Sequence, residues 1–324
     1  MRLRPAALVV IGVVLLAGLE AVPFYTDWLW FAEVGYVPVF LKTAALRGSL
    51  LVGAGLVAYL FLSLNLRAAV RARPPDVFWE LEEPMGLPSR VVLEPLLTRL
   101  ITPVVAAVAL GLGLAASAEW STLLLYQAAQ PFGVADPLVG QDVGFYVFRL
   151  PFWQELLGWG FRLVGLTLLG TALVYFLGRV LVLTARGPVI TARARAHLLG
   201  LVALLLGAKA LDFYLDRFDL LYSQRGGVFG ATYTDVNATL PALSWLAALA
   251  VLCAGAAILQ IFRRGARPVF AGLIVLAGGW ILGVWAYPAL VQRLRVAPNA
   301  LVAESPYIAH HIRLTRRAFA LDHV

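Results

Sequence analysis

A chain of 324 residues with 61% hydrophobic and 14% charged side chains carries too little charge to cover a water-facing surface. That composition, with a mean hydropathy of +0.84, excludes a soluble enzyme, a nucleic-acid-binding domain and a disordered chain, and leaves an all-α polytopic membrane protein. The net charge of +8 comes from arginines set between apolar runs, with Lys42 and Lys209 the only lysines; this pattern is a topology signal, not a nucleic-acid footprint. Cys253 stands alone inside an apolar run, so no intrachain disulfide or paired-cysteine metal site is available.

A helix needs roughly 20 apolar residues to cross the hydrocarbon. Seven runs qualify in chain order: 6–24, 49–66, 100–118, 163–183, 196–213, 240–262 and 268–291. The first follows Arg2 and Arg4 like a signal peptide, but Glu20 and Pro23 spoil the small-residue cleavage pattern, so it reads as an uncleaved span. With the N-terminus inside, the inner segments carry Arg2, Arg4, Arg67, Arg71, Arg73, Arg90, Arg99, Arg186, Arg193, Arg195, Arg263, Arg264 and Arg267. The outer loops carry only Lys42, Arg47, Arg149, Arg217 and Arg225. This bias predicts a cytoplasmic N-terminus and, with seven spans, an extracytoplasmic C-terminus. Arg293, Arg295, Arg313, Arg316 and Arg317 in the tail pull the other way, which keeps an even helix count as an alternative.

Aromatic residues crowd the outer segments 24–40, 119–161 and 212–233. The density predicts short interfacial helices in the outer loops, for example over 27–36 and 151–159; an ordinary aromatic belt is the simpler account. The inner stretch 67–99, with Pro74, Pro75, Pro84 and Pro88 among mixed charges, predicts an irregular connector.

Lys209, Asp212, Asp216 and Asp219 are spaced three, four and three apart, which puts them on one helical stripe. Lys209 lies inside an apolar span, where an ionisable residue is a functional candidate. Its partner would be Asp212 or Asp216, and a snorkelling, structural ion pair is the plainer reading. The aspartates do not follow a calcium-loop spacing. The run from Tyr222 to Asn237 has glycines at 226, 227 and 230 but no Lys-Ser/Thr ending, so it reads as a tight outer turn and not a phosphate loop. Within it, Tyr233 and Asp235 are candidate outer-face residues, and Asn237 or Thr239 is the expected N-cap of a helix beginning near Leu240. Asp136 and Asp142 are six apart in a turn-rich segment. Such a pair could serve acid–base chemistry, but no nucleophile or base completes a set, and Asp142 remains a candidate outer-face residue only. His310 and His311 are adjacent, near Glu304, and adjacent histidines chelate one ion poorly. No cofactor or metal is expected.

Three motifs together resemble a known family. Asp136-Pro137 to Gln141-Asp142-Val143-Gly144-Phe145-Tyr146-Val147-Phe148-Arg149-Leu150-Pro151-Phe152 is one. Leu221-Tyr222-Ser223 through Gly230-Ala231-Thr232-Tyr233-Thr234-Asp235-Val236 is the second. Pro298-Asn299, Glu304 and Pro306-Tyr307-Ile308 to Thr315-Arg316 is the third. In order along the chain they resemble the hallmark of the UPF0182 family of uncharacterised bacterial and archaeal membrane proteins. Ala300 and His311 depart from the pattern, which leads us to expect Glu and Asn there. The resemblance implies a multi-pass plasma-membrane protein whose helices lead into a large extracytoplasmic region, and it carries no catalytic residue.

The expected organisation is a transmembrane domain over 1–292 and the start of a truncated extracytoplasmic region over 293–324. The expected function is a non-enzymatic membrane anchor or scaffold for an extracytoplasmic domain or envelope protein partner. Its surroundings would be the lipid bilayer, with no nucleic acid. The alternative is a transporter or channel-like protein that uses Lys209 and the Asp212, Asp216 and Asp219 stripe.

Overall fold

The computed structural model describes residues 18, 21–72, 90–184, 187–227, 229–263 and 267–321. Residues 21–33 form helix α1, which ends in a turn at Gly35, where φ is +78°. There follow α2 (Val37–Val70), α3 (Arg90–Ala118), the short α4 (Trp120–Gln127), and α5 (Leu150–Leu177) with a π turn at Phe145–Arg149 in front of it. A two-stranded antiparallel hairpin, β1 (Leu181–Thr184) and β2 (Gly187–Ile190), leads to α6 (Ala192–Asp219). After it come α7 (Leu240–Phe262), α8 (Arg267–Trp280), α9 (Tyr287–Val291) and α10 (Ala300–Ala318).

The fold is all-α of the membrane type. Among the described residues, six helical stretches are long and apolar enough to cross a membrane: Val37–Val70, Leu97–Ala118, Phe145–Leu177, Ala192–Tyr222, Asp235–Phe262 and Arg267–Ala318. The predicted first span, 6–24, lies outside the described residues except for its end. The other six predicted spans each fall on one of these helices, and most of the helices run further than the apolar run. Val37–Val70 has 34 residues, about 51 Å at the α-helical rise, against a hydrocarbon of about 30 Å. Hydropathy reads the thickness of the oily layer; the hydrogen-bonded ladder continues past it into polar surroundings.

Three expectations are corrected by this. The segment 151–159 is not a separate interfacial helix but part of α5, which continues directly from the π turn at Phe145–Arg149 as one stretch to Leu177. The span predicted over 163–183 stops at Leu177. There Arg179 takes φ +56°, with Arg179 N–H bonded to Phe176 O and Val180 N–H to Tyr175 O. That pair of bonds is a Schellman ending, and residues 181–183 turn into strand β1. The connector predicted over 67–99 is helical at both ends, in α2 to Val70 and in α3 from Arg90; residues 73–89 lie outside the described ones.

Packing divides into two clusters. Ala58, Leu62, Val105, Ala109, Leu163 and Val174 join α2, α3 and α5. Leu206, Phe213, Leu246, Ala250, Ala257 and Leu276 join α6, α7 and α8. Small residues set the close approaches: a Cβ on Gly113 would meet Leu51 O at 2.6 Å and Gly55 Cα at 3.2 Å, the kind of contact that membrane helices use in place of a hydrophobic drive. Large apolar side chains point outward instead of inward, among them Trp245, Leu252, Phe262 and Ile274. An apolar surface this extensive fits lipid contact and not water.

Candidate functional site

All three family-like motifs fold onto one end of the bundle. The first closes on Asp136, which is 4% exposed. Its Oδ1 accepts from Leu138 N–H at 2.8 Å and Val139 N–H at 2.9 Å; its Oδ2 accepts from Gln141 N–H at 3.1 Å and the Tyr146 hydroxyl at 2.8 Å. Gly140, at φ +78°, turns the chain so that its N–H returns to Asp136 O at 3.1 Å. Asp142 is held beside this turn. Its Oδ1 accepts from Phe132 N–H at 2.9 Å and Gly144 N–H at 2.7 Å, and its Oδ2 from Gly133 N–H at 2.8 Å. These amides, Phe132 N–H foremost, hold the Asp142 carboxyl below its ordinary value against a smaller desolvation effect.

The second motif is organised by Asp235, whose side chain is 2% exposed. Thr232 N–H and the Thr232 hydroxyl donate to Asp235 Oδ2 at 3.2 and 2.8 Å, and Asp235 N–H donates back to Thr232 Oγ1 at 3.2 Å. This reciprocal pair is a capping box. The helix therefore begins at Tyr233, with Thr232 as its cap, and not near Leu240 with Asn237 or Thr239. Asn237 instead lies within the helix and donates to Tyr233 O at 2.9 Å and Tyr307 Oη at 3.1 Å. Arg225 completes the site: its Nη1 donates to Asp235 Oδ1 at 2.9 Å and to Thr239 Oγ1 at 3.3 Å.

The third motif returns α10 to the same end. Tyr233 N–H donates to Glu304 Oε2 at 3.1 Å, across 71 residues. The rings of Tyr233 and Tyr307 meet edge to face, with centroids 6.4 Å apart. Tyr222 donates to Tyr146 O at 3.4 Å and so ties the second motif to the first. A cavity of about 170 Å³ lies where the three meet, walled by Asp136, Phe229, Tyr307, His310 and His311 among others. Among the described residues no group of three or more His, Cys, Asp or Glu side chains could hold a metal ion. The tail thus sits on the end that also carries segments 119–161 and 212–233.

A model of the uncharacterised protein family UPF0182 matches residues 5–324. The chain belongs to this family. A UPF0182 protein of Mycobacterium marinum is 37% identical over 325 residues, 99% of this chain and 32% of that protein. One of Thermobifida fusca is 37% identical over 314 residues, 96% of this chain and 31% of that protein. One of Moorella thermoacetica is 37% identical over 334 residues, 100% of this chain and 36% of that protein. The chain spans about a third of the length of these curated relatives. No solved structure matches it.

The structure sorts the UPF0182 candidates into separate places. Lys209 is hydrogen-bonded to Asp212 and lies over the Phe213 ring, 4.4 Å from its centroid. Their side chains are 33% and 42% exposed. Asp216 is on the same helix, and Asp219 accepts from Gln154 Nε2 at 2.7 Å, which bridges α6 to α5. The stripe is therefore an ion pair and a helix clamp side by side. Asp142, Tyr233 and Asp235 belong to the organised end. Sequence reasoning missed Arg225, Thr232, Tyr146 and Glu304 as parts of that end. Thr-x-x-Asp at 232–235 was a readable capping signal; the Glu304 contact had none.

Proposed function

We propose that this chain is a non-enzymatic membrane module that anchors and positions an extracytoplasmic domain or an envelope protein partner on the end built by Asp136, Asp142 and Asp235. In this reading the N-terminus is cytoplasmic and the organised end faces outward from the plasma membrane, since arginines such as Arg67, Arg71, Arg193 and Arg263 gather toward the opposite end. One observation carries the reading. The carboxylates of all three aspartates accept hydrogen bonds from the module's own amides, hydroxyls and Arg225. They are committed to holding loops, and a carboxylate so engaged is poorly placed to take a proton from a substrate. A transport role for Lys209 is the alternative, and its exposed pairing with Asp212 favours a snorkelling structural pair over it.

Single cysteines at Ala309 and Arg71, in a chain with Cys253→Ala, test the orientation on intact cells. Ala309→Cys should react with a membrane-impermeant maleimide from outside, and Arg71→Cys only after permeabilisation. The reverse pattern refutes the topology. Loss of the chain from membranes on alkaline carbonate washing refutes the membrane module itself.

A further inference from the structure

We infer that the open cavity between the end of α9 and the start of α10 binds a phosphate group, as carried by the headgroup of an anionic phospholipid. The cavity holds about 420 Å³ and is lined by Tyr233, Asn237, Arg295, Asn299, Val302 and Tyr307 among others. Among the described residues, Arg295 is the only charged one in its wall, and no carboxylate lines it. The guanidinium stands over the Tyr233 ring, 5.5 Å from the centroid, and has no acidic partner among the described residues. A cation held by a ring face keeps its N–H edge free for an anion. Tyr307 offers a second donor. Its oxygen accepts from Asn237 Nδ2, which leaves its own proton able to donate. Asn299, beside them, makes no side-chain cap bond. Arg295, Tyr307 and Asn299 thus bring three side chains with donor groups to the wall of one cavity that no described carboxylate lines, which is the complement of an oxyanion.

Depth points to the source, and here the inference rests on the reading of this chain as membrane-spanning. The apolar run ends at Val291, and Arg295 lies four residues on, about 6 Å along the axis. That is headgroup level, where arginine meets lipid phosphate. Val302 in its wall is exposed, as are Leu290, Leu294 and Leu301 nearby in the sequence, and they offer apolar surface to acyl chains.

The test is native mass spectrometry of the full chain released from nanodiscs of equal phosphatidylglycerol and phosphatidylcholine, with calorimetric titration of inorganic phosphate as a second arm. Wild type should retain phosphatidylglycerol preferentially. Arg295→Gln should lower that preference about five-fold, the factor expected for one arginine at a charged surface; Arg295→Lys should keep part of it. Arg313→Gln, an exposed position elsewhere on α10, should leave it unchanged. Should Arg295→Gln fail to fold, Tyr307→Phe removes one donor alone and should still weaken retention. Phosphate binding that depends on Arg295 without lipid preference assigns the site to soluble phosphate esters. A chain that stays in carbonate-washed membranes but shows neither response overturns the site and leaves the membrane reading intact.

Discussion

Removing the Asp235 carboxylate is the most demanding test of the organised end. In Asp235→Ala, three donors lose their acceptor: Arg225 Nη1, Thr232 N–H and the Thr232 hydroxyl. Hydrogen bonds to a charged group contribute about 1.5–3 kcal/mol each, and removing one member of a buried ion pair costs about 3–5 kcal/mol because the other charge is stranded. Arg225 is 36% exposed, so water re-solvates part of its guanidinium, which brings the expectation down to about 3 kcal/mol. Arg225→Gln should cost less, about 1–2 kcal/mol, since Thr232 still supplies two donors to the carboxylate. Both values are measurable by denaturant titration of the full chain in mixed micelles, with the double variant closing the cycle. Asp235→Ala within experimental error of wild type, or a coupling energy of zero between the two sites, would refute the argument that this ion pair holds the end together.

Further predictions concern other parts of the molecule. Asp142 has a folded-state carboxyl below its ordinary value, so its contribution is present above the unfolded value near 4 and is lost as pH falls through the lower folded value. The protection factors of the Gly133 and Gly144 amides, with the intrinsic exchange rate divided out at each pH, should therefore fall in acid in wild type; in Asp142→Asn they should already be low near pH 7, and a wild type whose protection does not change with pH would contradict this. Gly113→Ala should separate α2 from α3, since its methyl would lie 2.6 Å from Leu51 O; a loss of about 1–3 kcal/mol in the same titration is expected. Lys209→Leu should change stability by less than about 1 kcal/mol and leave membrane expression unaltered, as befits an exposed pair. Loss of a measured ion flux in that variant would instead support the transport alternative.

The legible parts of this protein are those whose signal is local. The end of α7 at Phe262 is readable because an apolar run simply stops there, before Arg263. The Lys209–Asp212 pair was readable because residues three apart share a helix face. The Thr232–Asp235 box has an equally local signature, but the apolar run that starts at Leu240 draws the expected N-cap to Asn237 or Thr239, which lie inside the helix. The hairpin at 181–190 was hidden because its first strand reads as the end of an apolar span. Only the backbone turn at Arg179 separates it from α5.

By itself the sequence determined that the chain is all-α of the membrane type and which runs are apolar enough to cross a membrane. Those properties are sums over neighbouring residues, and burial in lipid enforces them wherever the chain lies. The tertiary structure decided which partners the residues of segments 119–161 and 212–233 meet. Gln154 with Asp219, Tyr146 with Tyr222, and Tyr233 with Glu304 lie 65 to 76 residues apart, and no spacing rule reaches that far. Their partners are chosen by helix packing, which brings α5, α6, α7 and α10 to one end and turns scattered aspartates and tyrosines into a single hydrogen-bonded platform.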